Sequence, residues 1–302
     1  MFTSKGKVMG MLFILLLTWS FPSVVIKYLS YFFSPLTQNF YRYLAASVFL
    51  IIFNYFSSPQ ELKLCIRKIR YFIIPAFLLF LYQTLFVYGI GFSQANTAGF
   101  LSKLAVIFVI LVAWIELPDE RSTIRNKSFI TGFFLAFTGA VMITLSKGTP
   151  SFSLGSSLII LSNLLWAIYT IHMKKLLREL RISPVMAMSF ITIIASIFMF
   201  FPAINKLSRL CITPVSVNFL LFISGFFLVG AAGSLYYFLL NKIGATITNN
   251  ALLLTSFITL GLSFIFLKES ISIWQVLGGI LLIPGCYFIL RKTQIPGGEI
   301  QA

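Results

Sequence analysis

Ten apolar runs, each long enough to cross a bilayer as a helix, limit what this 302-residue chain can fold into. They cover 8–27, 36–55, 71–91, 97–117, 129–146, 155–173, 184–203, 216–240, 246–267 and 272–290. In hydrocarbon only helices and closed barrels satisfy every backbone donor and acceptor, and these runs are too long for barrel strands. Composition agrees, with 59% hydrophobic residues, 34 Phe and only 10% charged residues, against roughly 25% charged in a soluble domain. The expected fold class is an all-α integral membrane protein with ten transmembrane helices. The basic opening before the first run is similar to a signal-peptide start, but no small-residue cleavage pattern precedes Trp19, Pro22 and Lys27, so the run is kept as a mature helix.

A net charge of +16 could suggest nucleic acid, but the basic residues fall in short clusters between apolar runs and are read as topology. With the N-terminus inside, 16 of them are cytoplasmic, in clusters such as Lys63, Arg67, Lys68 and Arg70, or Lys174, Lys175, Arg178 and Arg181. Lys27, Lys147, Lys206, Arg209 and Lys268 lie outside, while Arg42 and Lys103 fall within runs. Both termini are therefore expected in the cytoplasm. Cys65, Cys211 and Cys286 make no metal pattern and cannot pair across the two faces.

The halves echo each other. Sliding Glu120 onto Glu269 brings Gly132 and Gly139 to Gly278 and Gly285 after a three-residue gap. Trp19 and Trp166 each precede a lysine by eight residues, and Ser-Pro follows at Ser34, Pro35 and at Ser183, Pro184. This order favours duplication into five-helix units at 1–147 and 148–292, with a cytoplasmic tail at 293–302. An odd number of crossings per unit inverts the second copy, an arrangement suited to alternating access.

These residues resemble the EamA family of the drug/metabolite transporter superfamily, ten-helix branch. The likeness runs from Val8 to Leu290. It rests on Trp19, on Ser34 and Pro35, on Arg42 within NFYRYLAAS, on the small residues Ala95, Ala98 and Gly99 with Asn96, and on Glu120-Arg121 and Glu269-Ser270. Membership implies a multi-pass carrier of the bacterial inner or plasma membrane for a small organic metabolite. It does not name the substrate. Many members carry proline about where Lys103 stands, and the ninth run has Leu253 and Leu254 at the matching positions, so this charge belongs to one half.

Lys103 is the first candidate substrate-binding residue. Either its stem lifts the amine toward the outer headgroups or it lines a cavity; no carboxylate stands at its depth, which favours an anionic or zwitterionic substrate. Arg42 is expected at a similar depth, either beside the substrate or bonded to helix-end carbonyls as part of an outer gate. Trp19, Tyr82, Gln83, Tyr88, Trp166, Tyr169, Tyr236 and Asn250 are candidate pocket residues, with Trp19, Tyr82 and Trp166 preferred; packing and interfacial belts are the competing reading. His172, the one histidine, is the candidate for proton coupling, although its place beside Lys174 also suits an interfacial residue. Glu116, Asp119 and Glu120 are read as a solvated turn paired with Arg121 and Arg125. Gly278, Gly279, Pro284 and Gly285 are assigned to packing or a bend, with a dimer contact as the lesser option.

No Walker motif, zinc spacing or nucleophile elbow occurs, so neither an enzyme nor a bound cofactor or metal is expected. The expected partners are a small-molecule substrate and membrane lipid, with a proton or counter-substrate for coupling. Monomer and homodimer both remain open. Amino-acid, amine or drug export is the alternative to an anionic metabolite, and a non-transporting membrane protein or membrane enzyme is the remote one.

Overall fold

The computed structural model describes residues 5–92, 101–145, 153–267 and 271–291. Ala95, Asn96, Ala98, Gly99, Lys147, Lys268, Glu269 and Ser270 lie outside the described residues. In chain order the α-helices are α1 (Lys5–Thr18), α2 (Pro22–Leu29), α3 (Pro35–Ser57), α4 (Pro59–Arg67), α5 (Arg70–Gly91), α6 (Ala105–Glu116), α7 (Arg121–Arg125) and α8 (Lys127–Leu145). There follow α9 (Leu154–Leu180), α10 (Pro184–Ala203), α11 (Arg209–Ile212), α12 (Val215–Ser224), α13 (Ala232–Ile243), α14 (Ala245–Ala251), α15 (Leu254–Leu267) and α16 (Ile273–Arg291). No strand occurs among the described residues.

Among the described residues, seven helical segments are long and apolar enough to cross a bilayer. A further one, Leu101–Glu116, bends by 114° into Pro118–Arg125, and Gly6–Thr18 and Lys127–Ile143 are shorter apolar helices. The chain is thus an all-helical, multi-pass membrane protein. Phe13, Phe56, Phe134, Phe201 and Ile283, exposed in the isolated chain, suit contact with lipid tails.

Several of the runs are interrupted. The first breaks at Trp19–Phe21 because Pro22 has no N–H to donate and its ring would clash with the carbonyl of Thr18. The break turns Trp19 inward, where its Nε1 donates to the carbonyl of Leu228 at 3.3 Å. The fourth run turns at Leu104, whose N–H reaches the carbonyl of Leu101, and the ninth at Leu252 and Leu253. The eighth carries a π-helical stretch, Gly225–Ala231, between α12 and α13. Gly225 is required there: a Cβ would stand 2.4 Å from the carbonyl oxygen of Arg42 on α3.

The helices that the repeat makes equivalent cross antiparallel. A Cβ on Gly132 of α8 would lie 2.7 Å from the carbonyl oxygen of Gly285 of α16, and one on Gly139 would lie 2.4 Å from that of Gly278. Gly132 and Gly139 are the repeat counterparts of Gly278 and Gly285, so the contact is self-complementary, as across a two-fold axis. The span-ten glycines are therefore occupied by packing within the chain. The same opposition recurs between α3 and α10, where Asn54 Nδ2 donates to Ser189 Oγ at 3.1 Å and Phe40 meets Phe200 at 5.7 Å. Both helices begin on a serine N-cap followed by proline: Ser34 accepts from the Thr37 N–H and Ser183 from the Met186 N–H.

Candidate functional site

A cavity of about 430 Å³ lies among the interrupted helices. Its walls come from both halves, and Arg42 and Lys103 stand on the same cavity rather than toward lipid. Trp19, Tyr82, Gln83, Trp166 and Tyr169 line it as well. Tyr236 does so; Tyr88, Asn250 and His172 are not among its lining residues.

One wall is polar and sits on α3. Gln38, Asn39 and Arg42 are all buried, and each keeps a polar atom, Oε1, Nδ2 and Nε respectively, without a hydrogen-bond partner. Unsatisfied buried polar atoms are costly, about 1–3 kcal/mol each and more when charged, so three together on a cavity wall call for water or a polar ligand to satisfy them. Arg42 is 4% exposed and makes no ion pair among the described residues. Lys103 is half-buried at the end of the helical turn before Leu104 and makes none either. No Asp, Glu or His is among the described lining residues, which leaves the cavity with two positive charges.

A second part of the lining is aromatic. Trp166 stacks on Tyr236 with centroids 5.5 Å apart, touches Tyr82 at 5.0 Å and meets Trp19 edge-on at 6.3 Å. Hydrogen bonds fix these rings. Asn249 Oδ1 accepts from Trp166 Nε1 at 3.1 Å, its Nδ2 donates to Tyr236 OH at 3.0 Å, and Thr170 Oγ1 pairs with the same hydroxyl at 2.9 Å. The hydroxyls of Tyr169 and Tyr237 bond each other, and Gln83 Nε2 donates to Tyr43 OH at 3.0 Å. The rings are too close for a planar group to enter between them and are tilted to one another by 27° to 61°, so they offer an uneven aromatic floor rather than a slot.

Asn249 and Gln38 are functional candidates that the sequence reading passed over. Its choice of Asn250 was off by one residue, a rotation of about 100° on a helix. Asn250 turns back, its Nδ2 donating to the carbonyl of Thr246 at 2.8 Å.

Beyond the cavity, α6 ends in an ion cluster that differs from the solvated turn expected. Glu120 is 5% exposed and bonds to the Lys174 Nζ; its carboxylate also accepts from the N–H groups of Ala245 at 2.6 Å and Thr246 at 2.8 Å. A carboxylate there satisfies the orphan donors that open α14. Gly244, at φ +92°, makes room, because a Cβ would come 2.8 Å from Glu120 Oε1. Asp119 bridges Lys174 at 3.1 Å and Arg178 at 2.7 Å, and Glu116 pairs with Lys175. Burial raises the Asp119 carboxyl, but Arg178 and Lys174 outweigh it and hold it down at about 2. Arg121 turns instead to the carbonyls of Trp114 and Ile115, and Arg125 lies over the Trp114 ring. The cluster joins the end of the fourth run to α9 and α14 in the second half.

One cavity thus gathers fixed aromatic rings with the polar residues of α3 and with Lys103, drawing on both halves of the chain. The EamA-like transporter family model matches the chain twice, over residues 7–145 and 153–291, and the protein belongs to that family. The family is one of transporters rather than enzymes. An uncharacterized transporter of Haemophilus influenzae is 26% identical over 293 residues, covering 93% of this chain and 95% of the relative. The S-adenosylmethionine uptake transporter of Rickettsia felis is 24% identical over 295 residues, covering 94% and 92%. A solved crystal structure superposes with a TM-score of 0.77 at 14% identity, covering 94% of this chain and 96% of that one, a likeness of fold.

Proposed function

We propose that this transporter carries a small organic anion or zwitterion by alternating access, as a ten-span protein of two inverted five-helix repeats at 1–147 and 148–292, with both termini cytoplasmic and a tail at 293–302. The antiparallel crossing of repeat-equivalent helices supports the inversion, and the segregation of the basic residues supports the orientation. A bacterial inner or plasma membrane is the proposed location. Monomer and homodimer both accommodate this reading.

The observation that carries the substrate class is Arg42, buried and without an ion-pair partner among the described residues, on a cavity that holds Lys103 and no described carboxylate. A carboxylate or phosphate on the substrate would supply the missing charge, with Gln38 and Asn39 completing its hydrogen bonds. Trp19, Tyr82, Trp166 and Tyr169 would receive the organic part, and Gln83 would hold Tyr43 in place. His172, away from the cavity lining, would couple protons only indirectly.

The relative from Rickettsia favours a second reading, S-adenosylmethionine, which joins one carboxylate to two cationic groups. Its ring and carboxylate suit the two walls; its two cationic groups would rely on the aromatic floor alone. The test is uptake by the purified protein in liposomes, using labelled malate, glutamate, adenosine monophosphate, S-adenosylmethionine and putrescine. Uptake of at least one of the first three, weakened by Lys103→Met, is expected. Transport of putrescine alone would contradict the reading.

A further inference from the structure

Arg42 makes an empty carrier harder to close than a loaded one. An arginine guanidinium is in general held charged in proteins, whereas a lysine can discharge when desolvated. It is 4% exposed, its Nε has no partner, and no described lining residue is acidic. The ion pairs among the described residues join Glu116, Asp119 and Glu120 to Lys174, Lys175 and Arg178, none of which lines the cavity. The neutral amides on the cavity, Gln38, Gln83 and Asn163, can offer an acceptor oxygen but no counter-charge.

While the cavity is open to one face of the membrane, water solvates this charge. Alternating access requires the site to pass through an arrangement closed to both faces, and there water is scarce. An isolated charge of one sign in such a place is strongly unfavourable, whereas an anion paired with it offsets the loss. We infer that the protein is an obligatory exchanger: it returns through the membrane only with a second organic anion bound, so that each substrate moved one way is matched by one moved the other. The inference rests on the anionic substrate proposed above and adds the mode of transport to it.

Counterflow tests it. The full-length protein is reconstituted in phosphatidylethanolamine–phosphatidylglycerol vesicles that contain either buffer alone or unlabelled malate, glutamate or adenosine monophosphate. The labelled form of the same anion is then added outside. Exchange predicts an initial rate at least about tenfold higher in the preloaded vesicles. Equal rates in both would overturn exchange and leave the anion carrier standing. No uptake of any of the three under either condition would remove the anionic substrate class and this inference with it.

A second arm uses Arg42→Met, checked for a monodisperse fold because Gly225 packs on the Arg42 backbone. Its ratio of preloaded to empty rates should fall toward one, whatever happens to the absolute rate. A ratio unchanged from wild type would contradict the role given to Arg42, and a merely structural Arg42 would lower both rates without moving the ratio.

Discussion

The fourth and ninth runs are broken in the same manner and carry opposite chemistry. In the first half the helix turns at Leu104, directly after Lys103; in the second it turns at Leu252 and Leu253, and all three of Lys103, Leu252 and Leu253 face one cavity. The duplicated scaffold supplies the break twice, and the charge is written on one copy only. Shape therefore belongs to the repeat, while substrate preference belongs to the departures from it.

The helix that leads into the second break is anchored from the first half: Glu120 bonds to Lys174 and to the N–H groups that open α14. Replacing Glu120 by Ala leaves the buried Lys174 with Asp119 alone and the N–H groups of Ala245 and Thr246 without their acceptor, and a loss of about 2–4 kcal/mol of stability is expected, read as a lowered melting temperature in detergent. Glu120→Ala combined with Lys174→Met should recover part of it. An equal loss in the single and double variants would show that the amide contacts, not the ion pair, dominate.

The substrate comparison comes next in size. Lys103→Met should weaken binding of a transported anion by about tenfold to a hundredfold, the range of one charge-assisted hydrogen bond, measured as a rise in the half-saturating concentration. Leu253→Lys would sharpen the contrast by placing a second amine on the opposite copy; it should favour more highly charged anions over monoanions in the same uptake panel. Gly244→Ala follows, expected to cost upward of about 1 kcal/mol because a side chain there needs φ +92° and meets Glu120. Smallest of all, His172→Gln should change the rate less than about twofold at fixed pH, since His172 is not part of the cavity lining. A larger change that follows an imposed pH gradient would return His172 to proton coupling.

Much of the fold was legible because bilayer crossing requires long apolar helices; the glycine spacing at 132, 139, 278 and 285 was legible as a mark of duplication, while the pairing of α8 with α16 through those glycines was not. The break at Pro22 follows from a missing N–H. The breaks at Leu104 and Leu252 carry no Gly or Pro and depend on tertiary contacts, so periodicity could not reveal them. Lys103 and Arg42 were visible as charges where water is scarce. Glu120 was misjudged because its partners at 245 and 246 lie more than a hundred residues away, and its neighbours Arg121 and Arg125 supplied a simpler pairing. Gln38 and Asn39 were equally visible as polar residues at the start of an apolar run, but which face of α3 meets the cavity is set by packing against α10, α12 and the π-helical stretch Gly225–Ala231.

The account stands most directly on the charge of the transported molecule. Uptake of the labelled panel by wild-type protein and Lys103→Met, side by side in the same vesicles, measures it. Transport of an organic anion that Lys103→Met weakens about tenfold or more is the predicted result; transport confined to amines, indifferent to the substitution, would contradict it.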